Sequence, residues 1–290
     1  MDIIGYIIND LINGNADLSF KDSVLQSATS YDSEIWGSVI GLMKDSVFPI
    51  GAAILTIFML MEIVGIIQRM DNAGQGMMGI NIPATIIIRW VIITFLYCHL
   101  GVLLEGINGV METVATNITY GKVTTFNFSS DDVVTAISSM DTISQIVCYI
   151  IMMNIWFIFA ALKIILDAFV VYRMFSIYIM TVFAPIPLAT LPSQEHKHTA
   201  FNYLKSYAAA CMSGAVILAA FQIYNLLNTS VLKDTFEKAL EMGVDAAGNP
   251  MPLTAGAFCG VMLKMLIFYG ILVSAVLSSG KISKSLLNAA

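Results

Sequence analysis

Charged residues make up only 12% of the 290-residue chain, about half the ~25% of an ordinary soluble domain. With 58% apolar residues and a mean hydropathy of +0.81, the chain has too little polar surface to cover a core. A soluble globular enzyme is effectively excluded. Disorder is excluded too, because it needs low hydrophobicity and high net charge. Basic residues are the scarcer sign, 14 against 20 acidic for a net charge of −6, which rules out the bulk basic surface that grips nucleic acid by counterion release. No Lys or Arg precedes Lys21, so no cleavable signal peptide is expected. The four cysteines (Cys98, Cys148, Cys211 and Cys259) lie in apolar runs without a CxxC pair and read as small buried hydrophobes.

Catalytic patterns are missing as well. No paired carboxylates, Ser/His/Asp set, Walker loop or HExxH occurs, so neither hydrolysis nor ATP use is indicated. No cofactor is expected. His196-Lys-His198 offers two histidines without a third ligand, too few for a metal site; a basic loop beside anionic headgroups fits better. Gly74-Gln-Gly76-Met-Met-Gly79 matches GxGxxG literally. It follows no strand, so it reads as an inner loop rather than a dinucleotide site.

What the chain does have is long apolar runs. About 20 apolar residues cross a bilayer as a helix, and in lipid only helices or closed barrels satisfy the backbone. The alternation of a membrane barrel is absent. The fold class is therefore all-α, a polytopic membrane protein. Spans are expected at 47–68, opened by Pro49, at 82–103, at 206–227 and at 254–278, with a long kinked run over 143–191. In that run the helix should end near Ala184, where Pro185, Pro187 and Pro192 are expected to force extended backbone. Residues 1–46 read as an amphipathic outer segment ahead of a transmembrane domain over 47–290. Within it, 3–12 and 34–44 are too short to cross, and suit interfacial helices or contacts with a neighbouring subunit. Segment 104–142 is the main outer loop, with an amphipathic stretch and then a short hairpin over TYGKVTTFNFSS.

Charge placement orders the spans. If 143–191 crosses once, there are five spans. With the N-terminus outside, the outer segments then hold five basic residues in 111 positions, and the inner ones five in only 41. A hairpin inside the run would make six spans and move Lys197, Lys205, Lys281 and Lys284 outside. Short cytoplasmic loops collect Lys and Arg, so the expectation is five spans, N-terminus out and C-terminus in.

Six charges fall inside the apolar runs: Glu62, Arg89, Lys163, Asp167, Arg173 and Lys264. Each is costly in lipid unless paired or hydrated, and marks either a path or an interhelical pair. Lys163 and Asp167, four apart, can pair with each other. Glu62 and Arg173 sit near enough to helix ends to snorkel. Small residues at Ala210/Gly214 and Gly256/Gly260 mark close helix contacts, within one subunit or between subunits.

Residues 175–223, FSIYIMTVFAPIPLATLPSQEHKHTAFNYLKSYAAACMSGAVILAAFQI, run an apolar helix into a proline segment, a polar loop and an Ala/Gly-rich span. This resembles the TrbL-type channel subunit of type IV secretion systems, in the version carried by conjugative elements of Gram-positive bacteria. The resemblance implies a subunit of the bacterial cytoplasmic (inner) membrane without catalytic residues. It would work as a homo-oligomer in the lipid bilayer, with other type IV secretion membrane subunits and a separate ATPase, and support transfer of DNA and its relaxase. Single-stranded DNA would be a transient substrate. Segment 104–142 corresponds by position to the family's central outer loop, but is short and acidic here, and a supporting scaffold is as consistent with that as a pore wall. The rival class is a small-solute secondary transporter or ion channel, which also uses broken helices and intramembrane charges. A phage- or toxin-related pore former needs only the hydrophobic helices.

Overall fold

The computed structural model describes residues 28–72, 81–119, 141–227 and 255–289, with residues 24, 26, 137, 138 and 230. The helices expected at 3–12, the Gly74–Gly79 loop, the TYGKVTTFNFSS hairpin and most of loop 228–253 lie outside these residues. Among the described residues all regular structure is helical: α1 (Ala28–Tyr31), α2 (Ser33–Leu42), α3 (Phe48–Asn72), α4 (Asn81–Cys98), α5 (Leu100–Thr119), α6 (Thr142–Phe183), α7 (Pro185–Leu188), α8 (Lys197–Leu227) and α9 (Ala255–Leu286). Four helices are long and apolar enough to cross a membrane, five if the bent pair α4–α5 is one span. The chain is a polytopic helical membrane protein.

Segment 34–44 is not a separate interfacial helix. Asp32 caps α2, its carboxylate accepting from the backbone N–H of Glu34 and Ile35 at 3.0 Å each. From there the helix runs into α3 through a π turn at Met43–Val47. Proline explains that turn. Pro49 opens no helix; it sits inside one, where it lacks the N–H that would bond the carbonyl four residues back. The backbone widens just before it, and Phe48 N–H reaches the Met43 carbonyl five residues back. Trp36 and Met43 are thereby buried in a core with Leu100, Leu104, Met174, Ile177 and Tyr207.

The expected second span, 82–103, also differs. It breaks at His99, and the limbs on either side meet at 72°. Burial accounts for the bend: Leu100 and Leu104 are 2% and 0% exposed, so the amphipathic α5 turns to lay its apolar face in the core. The stretch expected to be amphipathic in the outer loop is helical to Thr119.

The long run is one helix. α6 has 42 residues, about 63 Å at 1.5 Å each, and is continuous through 163–173, so no hairpin forms there. It ends at Phe183, as the prolines require, but they do not force extended backbone. Ala184 and Ala189 are both right-handed helical, and Pro185 is the first residue of the short α7. A helix's first N–H groups have no intrahelical partner, so proline there forfeits nothing. The last two spans exceed their apolar runs, α8 beginning at Lys197 and α9 ending at Leu286.

The chain divides into two compact units. One comprises 1–25, 116–171 and 216–279. In its described part Tyr269 packs between Phe159, at 4.7 Å, and Tyr224, at 6.1 Å, and the Gln222 amide donates to the Ile118 carbonyl. The other comprises 26–115, 172–215 and 280–290. Of the cysteines, Cys148 and Cys211 are buried, whereas Cys98 is exposed and Cys259 half-buried. The outer face of α6 is apolar: Ile143, Phe157 and Ile164 are 72%, 72% and 68% exposed, as lipid contact or subunit packing demands.

Candidate functional site

Two polar assemblies are built into the unit of 26–115, 172–215 and 280–290. The first seats the proline turn on the first span. The α7 turn crosses α3 at Gly51, where a β-carbon would meet the Tyr97 hydroxyl and lie 2.8 and 2.9 Å from the Pro185 carbonyl oxygen and carbon. Only glycine leaves room for that approach. Tyr97 locks the crossing, donating its hydroxyl to the Phe48 carbonyl at 3.1 Å and packing its ring 4.7 Å from Phe48.

Beyond the turn the chain is held by its carbonyls. Arg89 donates to the carbonyls of Pro192, at 3.1 Å, and Leu191, at 3.4 Å. Thr190 Oγ1 donates to the Pro187 carbonyl at 2.8 Å and lies 3.1 Å from the His196 carbonyl. The His196 ring stands edge-on to Phe58 at 5.4 Å. Pro185, Pro187 and Pro192 thus form a docked connector with Arg89 as its clasp. Arg89, one of the six charges inside the apolar runs, thus neither lines a path nor pairs with an acid but is engaged by backbone carbonyls. Arg89→Ala should cost about 1.5 kcal/mol, the lower end for charge-assisted bonds because one contact is long. Arg89→Lys should recover part of it, keeping the charge but not the fork. Thermal unfolding in detergent of both variants measures this; wild-type stability of Arg89→Ala would remove the clasp.

The second assembly is buried. Arg173 lies 8% exposed and donates from Nη2 to the Cys211 carbonyl at 3.3 Å. The Cys211 thiol donates to Asn108 Oδ1 at 3.0 Å, and Asn108 Nδ2 donates to the Tyr207 hydroxyl at 2.8 Å. Tyr207 stands 3.2 Å from the Thr181 hydroxyl. Since Thr181 already donates to the Ile177 carbonyl at 2.9 Å, Tyr207 is the donor between them. The chain of bonds links α5, α6 and α8 and satisfies polar groups that would be costly in an apolar interior. Gly214 makes it possible, since a β-carbon there would lie 2.5 Å from Arg173 Cζ and 2.6 Å from Nη1, with Nη2 closer still. Nearby, Trp36 donates its indole N–H to Glu105 at 3.1 Å, and Tyr178 its hydroxyl to the Ala28 carbonyl at 3.1 Å.

The other sequence candidates are not brought to either assembly. Lys163, Asp167 and Lys264 are exposed, and Glu62 is half-buried on α3. No ion pair joins Lys163 to Asp167. Ala210 packs beside the buried core. A β-carbon at Gly256 or Gly260 would meet no described group within 4 Å. His198 Nδ1 lies 2.9 Å from the Glu195 carbonyl, and among the described residues no three His, Cys, Asp or Glu gather as a metal site would require. Sequence reasoning missed Gly51, Tyr97, Asn108, Thr181 and Tyr207. A lone amide inside an apolar helix is the signal that could have found Asn108.

Both assemblies fix helices and dock a connector, and neither joins a nucleophile to an acid–base pair. The model of the TrbL/VirB6 plasmid conjugal transfer like proteins matches residues 15–185, more than half of the chain. The chain belongs to this family. It is accordingly a multi-pass inner-membrane subunit of conjugal transfer by type IV secretion, in a family of structural channel subunits. The match ends at Pro185, the first residue of α7, and meets the TrbL-like sequence pattern of 175–223 only over 175–185. No curated protein and no solved structure matches the chain.

Proposed function

We propose that this TrbL/VirB6 member is a channel or scaffold subunit that supports passage of DNA and its relaxase across the cytoplasmic membrane. It works as a homo-oligomer with other type IV secretion membrane subunits and a separate ATPase, and single-stranded DNA passes transiently. The observation that carries the reading is where the intramembrane charges point. Lys163, Asp167 and Lys264 are exposed on otherwise apolar helices. A charge facing lipid costs several kcal/mol unless paired or hydrated, so such groups suit a protein whose outer surface is covered by neighbours or lines a wet path between them. A solute transporter needs the reverse, charges converging on a site inside one chain. The inward arginines, Arg89 and Arg173, are instead engaged by backbone carbonyls.

The reading places the N-terminus outside and the C-terminus in the cytoplasm. Cysteine substitutions at Ser129 and Asp245 should then label from outside intact cells, and one at the exposed Ser285 should label only once the cells are opened. Labelling at Ser285 in intact cells would overturn that orientation. The partner claim is tested by purifying the tagged chain from donor cells. Other type IV secretion membrane subunits should come with it in mild detergent. Recovery of the chain alone would contradict the assembly.

A further inference from the structure

Lys163 and Asp167 lie on α6 four residues apart, both exposed. Around them the outer surface of the helix is apolar, with Phe157, Ile158, Ile164, Ile165 and Val171 exposed. Two charges in such a band need a partner or water, and they do not serve each other, since no ion pair joins them. Their order also disfavours an internal pair: at this spacing the acid-before-base arrangement is the better one, and here the lysine comes first. The pair is nonetheless self-complementary. Copies of one chain in one membrane run in the same direction. Four residues are about 6 Å of rise, an offset that an extended lysine covers.

We propose that α6 is a contact between copies of this chain, in which Lys163 of one copy pairs with Asp167 of the next. The inference rests on the oligomeric reading above and names the residues that set its register. Apolar side chains flanking the pair shield it from lipid and exclude water, which strengthens the attraction. Each of the two charges is thereby satisfied by a neighbour rather than by its own helix. Because both residues share one face of α6, the contact is two-fold and the pair forms twice in it.

The test measures oligomer size of the purified full chain in nanodiscs or mild detergent, so it does not depend on DNA transfer. Lys163→Asp and Asp167→Lys, expressed singly, place like charges in the contact, and association should weaken about tenfold or more. Co-expressing these two single variants should restore the oligomer, because each then faces the opposite charge across the junction. Misfolded chains cannot give that rescue. A pair within one helix would not give it either; it would be repaired only by the double swap in a single chain. Wild-type assembly in either single variant overturns the proposal, as does a mixture that stays dissociated. Neither result touches the conjugation reading, which stands or falls on transfer itself.

Discussion

Gly51→Ala should destabilise the protein by about 1–3 kcal/mol, the usual cost of overpacking a filled site. The new methyl has nowhere to go. It would lie 2.8 Å from the Pro185 carbonyl oxygen and 2.9 Å from its carbon, with the Tyr97 hydroxyl closer still. Two of those atoms are backbone of the α7 turn, so relief requires the turn or α3 to shift. Gly51→Leu should do more, lifting the connector from the first span and separating α6 from its docked end. Part of the clash can be removed independently. Tyr97→Phe deletes the obstructing hydroxyl and its bond to the Phe48 carbonyl, at about 1 kcal/mol. The double variant Gly51→Ala/Tyr97→Phe should therefore be more stable than the sum of the singles, the mark of directly coupled sites. Unfolding in mixed micelles measures all three. Strict additivity would mean that Tyr97 is not what the methyl meets.

Asn108→Leu should cost about 2–3 kcal/mol. Interhelical hydrogen bonds in membranes average only about 0.6 kcal/mol, so the lost bonds alone are too small. Most of the cost comes from the polar groups left behind, each worth about 1–3 kcal/mol when buried without a partner. Asn108 accepts from Cys211 and donates to Tyr207; leucine strands the thiol and leaves Tyr207 only Thr181. Tyr207→Phe should cost less, about 1–2 kcal/mol, because Thr181 keeps its bond to the Ile177 carbonyl. Both singles break the same bond, so together they should cost less than their sum. Equal stability of Asn108→Leu and wild type would show that the buried chain of hydrogen bonds holds nothing.

Helix type was legible because lipid leaves the backbone little choice: each apolar run falls on helix among the described residues, and the prolines located the end of α6. Bends were not legible. The 72° break at His99 follows from which face of α5 finds a core, and that depends on residues far away in sequence, Met174, Ile177 and Tyr207 among them. The π turn before Pro49 was hidden because a proline at the head of an apolar run reads as a helix start, although the helix in fact begins at Ser33. The charges were visible as charges, but their directions were not. Periodicity places Lys163 and Asp167 on one face of α6; only packing decides whether that face is covered. Arg173 was read as near enough to an end to snorkel, but is buried because Gly214 leaves space for its head group. The buried chain of bonds through Asn108 and Tyr207 joins residues 99 apart, a pairing no local pattern encodes.

The central claim is that this chain is needed for DNA to leave the donor. Its gene is deleted in frame from the element that carries it, and mating is scored against the same strain complemented in trans. Transfer should fall to the background of a non-conjugative control, return on complementation, and leave hydrolysis by the secretion ATPase unchanged. Transfer at the wild-type frequency from the deletion strain would contradict the account, most decisively if that strain had instead lost uptake or efflux of a small solute.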